Sequence, residues 1–175
     1  IPVPQPGAAP PLDALDDRLL HAVVRNGRLW TLHQIQVDTS GVASNSGGRT
    51  GQRWYEIGNL SGALNLVQSG TVFDSAVTNP THHWMGAIMV NGQGHAALGM
   101  SRGGAATFVN TEFTGRLAGA ALGTMEAPTQ YSSNTATVMN IQPTAARQRW
   151  GDYSYTSVDP NDDMTMWTLQ EYPNA

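Results

Sequence analysis

The chain has neither a cysteine nor a lysine among its 175 residues. The first absence excludes disulfides, thiolate metal ligands, cysteine nucleophiles and thiol redox switching together. The second excludes Schiff-base and lysine general-base chemistry. All nine basic side chains are arginines, the bias a GC-rich genome imposes. Long hydrophobic runs are missing too: nothing approaches the ~18 apolar residues of a membrane span, and the first residues show neither the basic region nor the apolar run of a secretory leader. No segment sustains a 3.6-residue apolar repeat, so strands rather than long helices are expected. A formal net charge of -4 gives no electrostatic reason to seek a polyanion. We therefore expect neither nucleic-acid binding nor membrane insertion.

What is present begins with proline. Pro2, Pro4, Pro6, Pro10 and Pro11 with Gly7 give residues 1–17 the composition of an extended linker, with Asp13 to Asp17 able to cap one helical turn. A chain that opens in a linker is expected to be a piece of a longer polypeptide.

From residue 18 the sequence reads as hairpins. Arg18 to Val24 runs into Asn26-Gly27, the strongest short hairpin signal, and Leu29 to Val37 alternates apolar and polar. Gln52 to Ile57 and Leu64 to Phe73 supply a third and a fourth strand. The pattern recurs: Trp84 to Val90, a turn at Asn91-Gly92-Gln93-Gly94, then His95 to Ser101 and Thr107 to Phe113, with a fourth strand between 120 and 138. A third occurrence places β-formers on either side of the Asp/Pro/Asn cluster at 157–163 and stops after two strands. Recurrence of four-stranded antiparallel units predicts an all-β fold, a partial β-propeller of about two and a half blades over 18–79, 80–145 and 146–175.

Three stretches carry a family resemblance: Arg25 to His33, Asn91 to Arg102, and Arg149-Trp150-Gly151-Asp152-Tyr153-Ser154 through Glu171-Tyr172. Together they resemble the sialidase-like β-propeller regions of large secreted or surface-attached bacterial proteins, most of which lack an assigned activity. Ser157-Val158-Asp159 through Thr165-Met166-Trp167 is similar to a degenerate Asp-box, with Asp162 or Asp163 where a glycine is expected. The resemblance implies a secreted or cell-surface bacterial location, structural Asp turns on the outer rim, and a ring of about six or seven blades. Two and a half blades leave open strand edges, which the rest of the propeller or another protein chain would fill.

Function is less legible. Sialidase chemistry needs an arginine cluster, a Tyr activated by a Glu, and an Asp acid; Glu171 and Tyr172 are adjacent on a strand and so point to opposite faces. No catalytic residue is assigned. Arg149, Trp150, Asp152 and Tyr153, with His83 and Trp84, are the candidate ligand-binding residues of a channel mouth, where a planar cation and aromatic faces suit sugar rings. The competing and favoured reading is a structural Arg/Asp pair and a Trp packed between blades. Asp159, Asn161, Asp162 and Asp163 crowd hard oxygens into five residues and make calcium a possible cofactor, although an Asx-type turn in which Asp159 bonds backbone amides is the favoured reading. Five histidines lack metal-ligand spacing, and adjacent His82 and His83 must diverge on a strand. The expected function is an extracellular binding or scaffold module for a protein or glycan ligand. The alternatives are part of a sialidase-like glycan-active enzyme and a structural subunit of an extracellular assembly.

Overall fold

A computed structural model describes residues 1–142 and 144–173. In chain order its strands are β1 (Pro2–Val3), β2 (Leu12–Asp13), β3 (His21–Arg25), β4 (Arg28–Val37), β5 (Arg49–Gly58), β6 (Asn65–Val72), β7 (His82–Val90), β8 (Ala96–Gly104), β9 (Thr107–Arg116), β10 (Thr129–Gln130), β11 (Gln148–Arg149), β12 (Tyr155–Val158) and β13 (Met166–Leu169). Among the described residues no helix is long and apolar enough to cross a membrane.

The chain is all-β. Strands β3-β4-β5-β6 form the first four-stranded antiparallel sheet, β7-β8-β9-β10 the second, and β12-β13 a two-stranded hairpin. These are the two and a half blade-like units read from the sequence, and they do not close a ring. The turns form for the local reasons expected. Asn26 and Gly27 both take positive φ, 51° and 70°, as a two-residue turn matched to strand twist demands. Asn91 Oδ1 accepts from the amides of Gln93 and His95, each at 3.0 Å, and Gly94 supplies φ 83°.

The second sheet is the middle layer. One face meets the first sheet through Trp30, Leu32, Trp54, Ile88, Leu98 and Met100, with Trp30 and Trp54 stacked at 5.8 Å. Its other face carries Trp84 and Val109 against Trp150, Val3 and Leu12. β7 is buried along its whole length because it is covered on both sides. A bulge between Trp84 and Ala87 shifts its register, with Met85 at φ 50°. The bulge is held by the Met85 amide donating to Gln34 Oε1 at 3.0 Å and by Ser154 Oγ donating to the Met85 carbonyl.

Two expectations are corrected. Residues 1–17 are not a free linker: β1 pairs with β2, β2 pairs in parallel with β11, and Val3, Leu12 and Ala14 are fully buried. The prolines are spaced so that apolar residues between them can turn inward, and Gln5 fastens the segment by donating to the carbonyls of Pro10 (2.6 Å) and Met139 (2.9 Å). The aspartates at 13–17 do not cap a helical turn. Asp13 Oδ1 accepts from the Leu15 amide at 3.0 Å and Asp16 Oδ1 from the Arg18 amide at 3.1 Å, so each closes a local side-chain turn.

Candidate functional site

Across the second sheet, facing the first, four side chains fall into one row. Arg102 on β8 is directly opposite His83 on β7, and Gln130 on β10 is directly opposite Glu112 on β9. Glu112 pairs in register with Met100, two positions from Arg102 and therefore on the same face. His83 Nδ1 and Glu112 Oε1 share a short hydrogen bond, and both side chains are almost fully buried. Arg102 Nε lies 3.5 Å from Glu112 Oε2, an ion pair, while its Nη1 donates to Gln130 Oε1.

His83, Arg102 and Glu112 line an open cavity of about 270 Å³ together with Phe73, Asp74, Thr81 and Pro128. Asp74 follows β6, and its two carboxylate oxygens accept from the amides of Ala76 (2.8 Å) and Thr81 (2.7 Å). Burial pushes its carboxyl pKa up, but those amides, the Thr81 hydroxyl and nearby His83 outweigh burial and hold it below the usual value. Both carboxylates of the cavity are thus engaged by the protein. Because a carboxylate only accepts, His83 Nδ1 carries the proton of its bond to Glu112. His83 Nε2 and Arg102 Nη2 have no hydrogen-bond partner among the described residues. The cavity therefore offers one imidazole nitrogen and one guanidinium nitrogen beside two apolar walls.

His82, the neighbour of His83, faces the opposite way. Its Nδ1 accepts from the Thr50 amide at 3.2 Å, and burial, helped by His83 and Arg49, pushes its pKa down to about 4 against the opposing pull of Asp74. The divergence expected of adjacent strand residues is observed, and only His83 reaches the cavity.

The six residues expected at a channel mouth do not converge. Trp84 is fully buried and meets Trp150 edge-on at 6.4 Å; Trp150 Nε1 donates to Ser101 Oγ at 3.1 Å inside the core. Arg149 pairs with Asp152 at the surface, and Tyr153 projects into solvent, 89% exposed. Of the six, only His83 lines the cavity, because strand alternation puts it and Trp84 on opposite faces.

The acidic turn is likewise occupied by its own chain. Asp159 Oδ1 accepts from the Asn161 amide (2.9 Å) and Asn161 Nδ2 (3.0 Å), and Asp162 takes the amides of Met164 and Thr165 (2.8 and 2.9 Å) and the Thr165 hydroxyl (2.6 Å). Asp163 pairs with Arg25. Among the described residues no group of three His, Asp or Glu side chains is arranged to hold a metal ion, so the geometry favours the Asx turn over calcium.

A larger open hollow of about 780 Å³ runs beside β2 and β4, but its charges are compensated locally, Asp16 by Arg18 and Asp13 by Arg147 at 3.8 Å. Sequence reading missed Arg102, Glu112 and Asp74. The available signal was Glu112, a charge in the middle of the β-forming run Thr107 to Phe113. No family model, curated protein or solved structure matches the chain.

Proposed function

We propose that this chain is a binding module of a blade-like β protein and that the His83, Arg102 and Glu112 cavity receives a hydroxylated ligand, the terminal unit of a glycan. The observation that carries the reading is the pairing of unengaged His83 Nε2 and Arg102 Nη2 beside carboxylates that each already accept from the protein. A hydroxyl both donates and accepts, so it satisfies the imidazole nitrogen in either protonation state while accepting from the guanidinium. Phe73 and Pro128 add apolar surface of the kind sugar rings pack against. At about 270 Å³ the cavity lies just below the ~300–1,000 Å³ of sites that enclose drug-sized ligands, which suits one ring rather than an extended chain.

A sialidase-like activity is less well supported, since no tyrosine lines the cavity to act as nucleophile. The resemblance to secreted bacterial propeller regions fits the binding reading, and an extracellular location is part of the proposal.

The test is a protein-observed NMR titration with a panel of mono- and oligosaccharides. At least one saccharide is expected to perturb the His83 ring and the Arg102 guanidinium signals saturably. Arg102→Lys, which keeps the charge beside Glu112 but removes the planar donor, should weaken that binding about tenfold or more. A panel that leaves both signals unmoved at millimolar concentration would falsify the reading.

A further inference from the structure

The opposite face of the second sheet carries a separate surface. Ala87, Gly99, Phe113 and Thr129 are successive register partners across β7, β8, β9 and β10, one rung running the width of the sheet. The terminal hairpin lies over the first half of that rung, strand for strand. Thr156 on β12 donates its hydroxyl to the Ala87 carbonyl at 3.0 Å. Thr168 on β13 sits directly on Gly99, where even a single added methyl group would collide with its hydroxyl. Among the described residues the second half is covered only in part, by Tyr131, which lies on the same face beside Phe113 and near Thr168. Phe113 is 43% and Tyr131 46% exposed, their rings 6.0 Å apart, and with Ala97, Gly99 and Met166 they line a mainly apolar cleft of about 270 Å³.

Among the described residues the outer edge of β13 is open, because there β13 pairs only with β12. The Asp159 amide donates to the Thr165 carbonyl at 2.7 Å, and hydrogen-bonded and non-hydrogen-bonded pairs alternate along an antiparallel ladder. Pairs 157/167 and 155/169 are then the bonded ones, and the backbone groups of Met166 and Thr168 point away from β12. We propose that this edge and the Phe113/Tyr131 cleft form one docking surface for an extended β-strand of a partner polypeptide. The strand bonds to Met166 and Thr168 and lays small or β-branched side chains on Phe113. A strand added at the spacing of ~4.8 Å falls over β9, as β13 falls over β8, so the established contact simply continues.

A second copy offering its own β13 does not fit. The two-fold axis of an antiparallel strand pair is perpendicular to the sheet, so both copies would bring their second sheets to the same face. The copy's β8 would occupy the space held by β9 here. The occupant is therefore a strand or hairpin without bulk on that face.

The inference is independent of the glycan reading, and the saccharide titration does not bear on it. The probe is a capped eight-residue peptide of alternating threonine and valine, added to the full chain and followed by amide and aromatic NMR. Saturable shifts are expected at the Met166 and Thr168 amides and the Phe113 and Tyr131 rings, with hydrogen exchange at those two amides slowed at least tenfold. Phe113→Gln, whose fold is checked by the unchanged amide shifts of the first sheet, should weaken the peptide at least fivefold. Absence of shifts at 1 mM peptide, on the order of the weakest useful affinity, overturns the proposal. So do shifts of equal size along the β6 edge, or a dimer in sedimentation equilibrium that the peptide dissociates.

Discussion

On the side of the second sheet that meets the first, three strands contribute an imidazole, a guanidinium and a carboxylate, sealed by their mutual bonds. On the other side neighbouring residues of the same strands contribute Trp84, Gly99 and Phe113, and the contacts are ring on ring and hydroxyl on backbone. The pleat separates the two chemistries by one residue, as His83 and Trp84 or Glu112 and Phe113 show. What differs is how each side is held. Both keep an open cleft of about 270 Å³, the polar one rimmed by the loop at Asp74 and by Pro128, the apolar one bounded by the edge of the hairpin. A polar cluster is held by individual bonds between paired groups. An apolar face is held by the area it has covered.

That contrast is broken most severely from the polar side. Glu112→Ala would leave Arg102 and the His83 Nδ1 proton without their buried acceptor, and removing one partner of a buried ion pair costs about 3–5 kcal/mol. Glu112→Gln keeps an acceptor for the imidazole and should cost less than half as much. Urea denaturation of the three proteins checks the order. Equal losses for the two variants would mean that packing volume, rather than the charge pair, is what Glu112 contributes.

The next effect sharpens the distinction between His82 and His83. His82 is held down to about 4 by burial and by neighbouring charges, while the unfolded chain takes up a proton near 6.5. The unfolded state therefore binds more protons than the folded state between those values. Stability is fully present above pH 6.5 and is lost as pH falls toward 4, by about 3 kcal/mol in all. His21, lowered by burial, works in the same direction, and the lowered carboxyls of Asp38, Asp74 and Asp162 extend the loss further into acid. Melting temperature should fall between pH 7 and pH 5, and His82→Gln should flatten that dependence. A slope unchanged by the substitution would assign the proton uptake elsewhere.

The elements that could be read in advance are those fixed by neighbours in sequence. Asn26-Gly27 and Asn91 to Gly94 make their turns with local groups, and the strands between them alternate as a half-buried sheet must. The cavity could not be read this way. It depends on which residue of β8 stands opposite His83, and that register is reset by the bulge at Trp84 to Ala87, whose stabilising partners Gln34 and Ser154 lie far off in sequence. The proline-rich start was misleading for a related reason. Its composition describes an isolated peptide, whereas its burial is decided by β11 and Trp150, more than 130 residues later, and by Trp84.

The smallest expected effect concerns the uncovered side. Trp150 and Trp167 belong to the same C-terminal segment, but Trp150 is buried against Trp84 and donates to Ser101, while Trp167 is 59% exposed on the far side of the hairpin, with its Nε1 3.4 Å from Asp159 Oδ2. Truncating a buried tryptophan costs about 3–5 kcal/mol, and truncating an exposed one usually stays within about 0.5 kcal/mol. Trp150→Ala and Trp167→Ala should therefore differ at least fivefold in their effect on stability. If the isolated chain instead lost about 2 kcal/mol or more with Trp167→Ala, that side chain would have to be covered in solution. The distinction between a tryptophan locked into the core and one left at the surface of the hairpin would then fail, because some contact of the free protein would already be covering the hairpin.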